Sequence, residues 1–161
     1  MLPQIANLEQ FTAILVFDKW VANADGRQAI FFRAQLSDWL LRPGIPPRKL
    51  GFLAQMIDHG YAFHGPHWEL PDSPVAGLYS RRLVYDNVRS LASFEPWLER
   101  VRNFPPEVLD KALRQIPPDW IGDDEAALHR LIEALLRRRN RVADLLVAAR
   151  SAHGNPFPNW R

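Results

Sequence analysis

The fold is decided by residues 17–28, which read FDKWVANADGRQ. Apolar residues recur at helical spacing over residues 8–21, and Asn7 precedes them as a candidate N-cap. Residues 23–26 are turn formers that end the helix, and residues 29–32 are a β-prone run. The stretch therefore predicts a helix, a polar turn and a strand in immediate succession.

A second β-prone run covers residues 50–57 and is followed by an aspartate and, two residues later, a glycine that lets the chain turn away. The prolines of residues 40–47 prevent a regular element between the two runs, so we expect an antiparallel ribbon with a long connection. Asp25 and Asp58 would then lie at the same end of the ribbon. We expect their carboxylates within about 10 Å of each other, a distance that bridging metal ions can span.

The remaining pattern predicts a mainly α-helical protein. Residues 60–79 are rich in Gly, Pro, His and aromatic residues and indicate an irregular but ordered loop. Ser93 is expected to cap a helix that runs to Arg102, and the paired prolines at 105–106 and 117–118 to open and end the next one.

One long helix with a regular leucine stripe is predicted from residue 123 to about residue 150. The tail from His153 is expected to fray or to lie over the surface. The sequence thus predicts a single domain over residues 1–161, whose successive parts are the helix and turn (7–28), the ribbon and loop (29–78), a helical bundle (79–150) and the tail (151–161).

Composition narrows the class of protein. Of the 161 residues, 47% are hydrophobic and 24% are charged, as in an ordinary globular domain. The absence of cysteine excludes disulfides and thiolate metal sites and fits a reducing cytoplasm. No apolar run approaches the roughly 18 residues of a membrane span, and the first residues do not resemble a secretory signal. We therefore expect a cytoplasmic protein without a membrane partner.

The basic character of the chain comes from arginine. The sequence pI is about 9.3, but the formal net charge is only +2, which argues against nucleic acid as a partner. The densest cationic cluster is RRRNR at residues 137–141. We interpret it as a solvated helix face in preference to an anion or nucleic-acid patch.

Taken together, the two aspartate segments resemble those of the HipA-like kinases. The first matches Asp-x-Trp-Val-x-Asn-x-Asp at residues 18–25, and the second matches Ile-Asp-His-Gly-x-Ala-Phe at residues 57–63. Pro-Pro-Asp-Trp at residues 117–120, followed by Leu-Leu-Arg-Arg-Arg at residues 135–139, is similar to that family's C-terminal bundle. The resemblance covers most of the chain and implies a kinase C-lobe-like helical bundle with a small antiparallel ribbon near the catalytic loop.

The resemblance also implies roles for individual residues. Asp25 matches the aspartate that accepts the proton of the substrate hydroxyl, and Asn23 would brace the loop. Arg27 occupies a position where the family commonly has a basic residue or histidine. Asp58 matches the aspartate that holds Mg²⁺ against the phosphates of ATP.

The chain departs from the family pattern in two ways. Ile30 stands where the family has a metal-binding asparagine, which leaves Gln28 as the nearest amide to bind the cofactor. No glycine-rich loop or phosphate-binding lysine precedes the catalytic loop. The resemblance therefore implies a lobe that is inactive alone, and that is either degenerate or completed by a separate N-lobe as its partner. Mg²⁺ and ATP are the cofactors expected when the N-lobe is supplied.

Two other interpretations remain. In the first, the chain is a non-enzymatic helical interaction module or homodimer that contacts its partner through the aromatic loop of Tyr61, Phe63 and Trp68. In the second, histidines of the same loop bind zinc with Asp58, although ordinary polar loop residues fit the spacing better; these histidines are His59, His64 and His67. The tryptophans at 68, 97, 120 and 160 are predicted to be packing residues.

Overall fold

The computed structural model describes residues 2–152 and 154–161. Within them the chain forms six α-helices and one sheet of two antiparallel strands, so the mainly α-helical prediction with a small ribbon is confirmed. The elements are α1 (Gln10–Trp20), β1 (Gln28–Gln35), β2 (Leu50–Ile57), α2 (Trp97–Arg102), α3 (Pro106–Leu113), α4 (Pro118–Ile121), α5 (Glu125–Arg138) and α6 (Val142–Ser151).

The ribbon has the predicted position and topology. Gln28 pairs with Ile57 at one end and Gln35 with Leu50 at the other, so the strands run antiparallel without a register shift. The second strand has the predicted bounds, whereas the first begins one residue before the β-prone run and ends three residues after it.

Asn7 covers the outer edge of β2 and does not cap α1. Glu9 is the N-cap residue, so the prediction for Asn7 was wrong. The Asn7 side chain accepts a hydrogen bond from the Ala54 amide at 2.9 Å and donates one to the Ala54 carbonyl at 2.8 Å. It thereby satisfies the backbone of an edge strand that would otherwise be open.

The core is built around α1. Phe11 and Leu15 of this helix are fully buried, and α1 contacts both α2 and α6. The C-terminal tail joins the same core, because Phe157 is fully buried between the rings of Tyr85 and Phe94. The prediction of a fraying or superficial tail was therefore wrong for Pro156 and Phe157, which are buried. The first residue of the predicted tail, His153, lies outside the described residues.

The helical bundle is more segmented than the sequence pattern predicts. A 3-10 helix at Arg139–Arg141 separates α5 from α6, where one long helix was expected. Ser93 belongs to a 3-10 helix that precedes α2, and Pro118 opens α4 instead of ending α3. Trp120 of α4 is 81% exposed, so its prediction as a packing residue was wrong.

Among the described residues, no helix has both the length and the apolar character needed to cross a membrane.

Candidate functional site

The two predicted aspartates occupy the same end of the ribbon. Asp25 lies in the turn that precedes β1, and Asp58 directly follows β2. Both residues are exposed. The Asp25 carboxylate accepts a hydrogen bond from the Gly26 amide at 2.7 Å, and the Asp58 carboxylate accepts one from the Gln28 side chain at 2.8 Å. Each carboxylate therefore has oxygen lone pairs left for a ligand.

Arg27 joins the two aspartate segments from inside the protein. Its Nε donates to Asp18 Oδ2 at 2.8 Å and its Nη2 donates to Asp18 Oδ1, which makes the pair bidentate. Its Nη1 donates to the carbonyls of Ile57 at 2.9 Å and Asp58 at 3.0 Å. One guanidinium thus ties the end of α1 to the end of β2.

The burial of Arg27 limits what it can contact. The residue is 3% exposed, and the side chains of the Arg27–Asp18 ion pair are inaccessible to solvent. Arg27 therefore positions the loop and does not face a substrate. Its assignment to a catalytic set stays a prediction, and the geometry gives it a positioning role within such a set.

Asn23 is a second internal brace. It is almost completely buried, and its Nδ2 donates to Asp18 Oδ1 at 3.1 Å. Its Oδ1 lies 3.4 Å from the amide nitrogen of Asp25, which donates to it. Asn23 therefore connects the aspartate of α1 to the backbone of the exposed Asp25.

The ion pair also shapes the electrostatics beneath the turn. Burial raises the pKa of the Asp18 carboxyl above its usual value, while the hydrogen bond and charge of Arg27 and the hydrogen bond from Asn23 act in the opposite direction. Next to it, burial lowers the pKa of Lys19 to about 8. The Lys19 ammonium donates to three backbone carbonyls at 2.7 to 2.9 Å, those of Ser73, Pro74 and Ala76.

Asp18 and Lys19 are the important site residues that sequence reasoning missed. Their signal was present in the helical spacing, because Asp18 and Lys19 follow Phe11 by seven and eight residues and so fall on the buried face of α1. Charged residues at such positions are paired or hydrogen-bonded when buried. Helical spacing alone therefore predicts internal partners for both side chains.

Arg138 corrects the interpretation of the arginine cluster. It is buried, and its guanidinium donates to the carbonyls of Lys19, Leu70 and Pro71 and to the Asp72 carboxylate at distances of 2.6 to 3.0 Å. The solvated-face interpretation was therefore wrong for this residue. It fits Arg137, which is exposed and pairs with Glu133 one turn away.

The loop that follows Asp58 is held in an unusual backbone conformation. Asp58, Phe63, His64 and Trp68 all have positive φ angles between 51° and 62°, which non-glycine residues rarely adopt. Its backbone is tied to the Asp25 turn, because the Ala24 amide donates to the Tyr61 carbonyl at 3.0 Å. Strain of this kind costs about 1–3 kcal/mol per residue and concentrates at functional sites.

Gly77 allows the far end of this loop to approach α1. Its φ is +76°, and a Cβ at this position would lie 2.5 Å from the Asp18 Cβ. The Gly77 amide donates to the Asp25 carbonyl at 3.0 Å. Only glycine therefore fits between the ion pair and the exposed turn.

The side-chain oxygens at Asp58 and Gln28 suit a hard cation, but they provide only a few of the ligands that it needs. Carboxylate and amide oxygens are the ligands that Mg²⁺ prefers, and Mg²⁺ keeps several waters or phosphate oxygens in such sites. Gln28 donates its amide nitrogen to Asp58, which leaves its amide oxygen to act as a ligand. Ile30 lies on β1 with its side chain 46% exposed and supplies no ligand.

The zinc interpretation lacks a converging ligand set in the part of the chain that the structure describes. No three His, Cys, Asp or Glu side chains come together there in a group that could hold a metal ion. The rings of His64 and His67 lie 5.3 Å apart, and His64 Nδ1 is 3.9 Å from a Glu69 oxygen.

The chain was compared with protein-family models, curated proteins and solved structures. None of them matches it.

Proposed function

We propose that this chain is the C-terminal lobe of a HipA-like kinase, which phosphorylates a serine or threonine hydroxyl or a small molecule once an N-terminal lobe completes it. That lobe would come from a separate chain or from a longer form of this one. Asp25 would accept the proton of the substrate hydroxyl, and Asp58 would hold Mg²⁺ against the phosphates of ATP.

One observation carries this proposal: a single buried arginine holds the Asp25 turn and the Asp58 strand end together while both carboxylates remain exposed. Phosphoryl transfer depends on positioning and electrostatic stabilisation more than on covalent chemistry by the protein. A buried arginine that fixes the backbone beneath two exposed carboxylates suits that requirement. Two turn residues with only a structural role would not need such a brace.

The order of elements supports the same proposal. A helix leads into the Asp25 turn, an antiparallel ribbon follows, and an Asp-His-Gly segment ends the second strand. This is the order that the motif resemblance implies. Gln28, whose side chain reaches Asp58, takes the place left vacant by Ile30 as the second group at the cation.

Thermal unfolding with and without MgATP tests the proposal. Asp58 and Gln28 lie on this chain, so we expect weak MgATP binding even without the N-lobe. A ligand that binds only the native state raises the melting temperature, so millimolar MgATP should raise that of the wild type. Asp58→Asn should abolish this shift, and Asp25→Asn should retain it, because Asp25 acts on the substrate proton. Asp38→Asn is the matched control, since Asp38 is exposed near the opposite end of the ribbon.

A wild type without a MgATP-dependent shift would contradict the proposal. So would an equal loss of the shift in Asp38→Asn and Asp58→Asn.

A second function, a non-enzymatic interaction module that binds a partner protein or a second copy, is favoured by the tip of the ribbon. Trp39 is 51% exposed, Leu50 is 56% exposed and Leu41 is fully exposed, an apolar patch of the kind that partners cover. Of the predicted aromatic loop, Tyr61 is exposed, whereas Phe63 and Trp68 pack against the core. Sedimentation of the wild type and of Trp39→Ser tests this second function. It predicts that the wild type forms an assembly and that the substitution weakens that assembly.

A further inference from the structure

An open apolar groove lies between α1 and α3, and neither Asp25 nor Asp58 lines it. It has a volume of about 410 Å³, within the roughly 300–1,000 Å³ range of small-ligand sites. Phe17 and Trp20 form one wall, Val108 and Leu109 form the other, and Leu135 lies at its base.

The wall formed by α3 is incompletely packed. None of the residues of α3 is buried, although the helix is strongly amphipathic. Val108 is 47% exposed and Phe17, across the groove, is 38% exposed. Apolar groups that face each other across a solvated gap gain free energy when an apolar ligand replaces the water.

The lining of the groove is almost entirely apolar, and Arg100 is the one charged residue among the described residues that line it. Arg100 is exposed at the rim, and its guanidinium lies 4.7 Å from the ring centroid of Trp97, a cation–π contact. Its neighbour Arg102 pairs with Glu95. In the described part of the chain, Arg100 has no carboxylate within ion-pair distance.

We infer that this groove binds a small amphipathic monoanion, an alkyl carboxylate of fatty-acid type, with its chain between α1 and α3 and its carboxylate at Arg100. The nearly uninterrupted apolar lining fits an alkyl chain and offers no other polar anchor. The unpaired guanidinium at the rim supplies the complementary charge. This inference is independent of the proposed phosphotransfer.

Binding of decanoate and decylamine, both used below their micelle-forming concentrations, tests the inference by calorimetry. The two probes share an alkyl chain of the same length and differ in the sign of the head-group charge. We expect decanoate to bind at one site at least tenfold more tightly than decylamine. Arg100→Gln should weaken decanoate at least fivefold, whereas the control Arg130→Gln, an exposed arginine on α5, should leave it unchanged.

A groove-filling variant tests the location of the site. Ala112 lines the groove and is exposed, so Ala112→Phe should abolish decanoate binding without unfolding the protein. Ala126→Phe places the same ring at an exposed position of α5 and should bind as the wild type does. Circular dichroism of both variants confirms that they are folded.

Three results would overturn the inference: no decanoate binding by the wild type at 1 mM, equal affinity for both probes, or an unchanged affinity in Arg100→Gln. A dimer that Ala112→Phe dissociates, together with no decanoate uptake by the wild type, would assign the groove to a second copy of the chain.

Discussion

Replacing Arg27 with methionine removes the connection between the Asp25 turn and the Asp58 strand end. The substitution leaves a buried Asp18 carboxylate without its cation and frees the carbonyls of Ile57 and Asp58. Breaking one side of a buried ion pair costs about 3–5 kcal/mol. We therefore expect Arg27→Met to lower the free energy of unfolding by about 4 kcal/mol.

The double variant Asp18→Leu/Arg27→Met separates charge burial from packing. Removing both partners eliminates the unpaired charge, and such replacements are often nearly neutral. The double variant should therefore be more stable than either single variant, with a coupling energy of about 2–3 kcal/mol. This comparison stays informative even if Arg27→Met alone is largely unfolded.

Urea denaturation followed by tryptophan fluorescence measures these changes. The matched control is Arg33→Met, because Arg33 is an exposed arginine on β1, the strand that follows Arg27. It should change stability by less than about 0.5 kcal/mol. Arg27 has no such bracing role if Arg27→Met is no more destabilising than Arg33→Met, or if the effects of Asp18→Leu and Arg27→Met simply add.

Three further predictions concern the groups beneath the site, all measured by urea denaturation. The pKa of Lys19 is about 8 in the folded protein and about 10.4 in the unfolded chain. Near and between these pH values the unfolded chain binds more protons than the folded protein, so the free energy of unfolding rises with pH. Relative to Lys19→Met, the wild type should therefore gain about 1 kcal/mol between pH 7 and pH 9, and a loss would contradict this. Gly77→Ala should lower the free energy of unfolding by more than about 2 kcal/mol, because a clash with α1 adds to the strain of a positive φ. The control is Gly44→Ala, where φ is +83° and the surrounding space is open. It should lower the free energy of unfolding by only about 1 kcal/mol. Arg138→Met should cost about 3 kcal/mol, because it leaves three carbonyls without a donor, whereas Arg137→Met should cost less than about 0.5 kcal/mol; equal costs would argue against the anchoring role of Arg138.

Local patterns predicted the elements around the site well. The bounds of β2, the antiparallel ribbon and the polar turn before β1 follow from short-range signals, namely β-propensity, prolines and turn-forming residues. These signals place Asp25 and Asp58 at one end of the ribbon. Whether their carboxylates meet the expected separation of about 10 Å stays a prediction.

Residues whose roles depend on long-range contacts could not be predicted from local pattern. Asn7 has a sequence position typical of an N-cap, but its side-chain amide hydrogen-bonds to the backbone of Ala54 at the edge of β2 instead. Arg138 lies in a run of arginines that suggests solvent exposure, and its partner carbonyls, those of Lys19, Leu70 and Pro71, come together only in the folded protein. Phe157 follows a Pro- and Asn-rich segment, yet its apolar ring fills the space between two aromatic residues.

The segmentation of the bundle has the same origin. The leucine stripe continues through residues 128–146 and gives no sign of a break. In the folded protein, Arg138 donates to Lys19 and Arg139 donates to the Phe104 carbonyl at 2.8 Å. Both contacts lie where α5 gives way to the 3-10 helix, so tertiary hydrogen bonds accompany a break that helical periodicity does not reveal.

The proposed site has Asp25 beside a cation that Asp58 holds, with Arg27 linking the two segments from inside the protein. Paramagnetic broadening of assigned amide signals by Mn²⁺, a substitute for Mg²⁺, tests it directly. We expect the amide signals of residues 25–28 and 58–60 to broaden together at the same Mn²⁺ concentration, and we expect Asp58→Asn to abolish both effects. Broadening of only one of the two segments, or of neither at millimolar Mn²⁺, would contradict the claim.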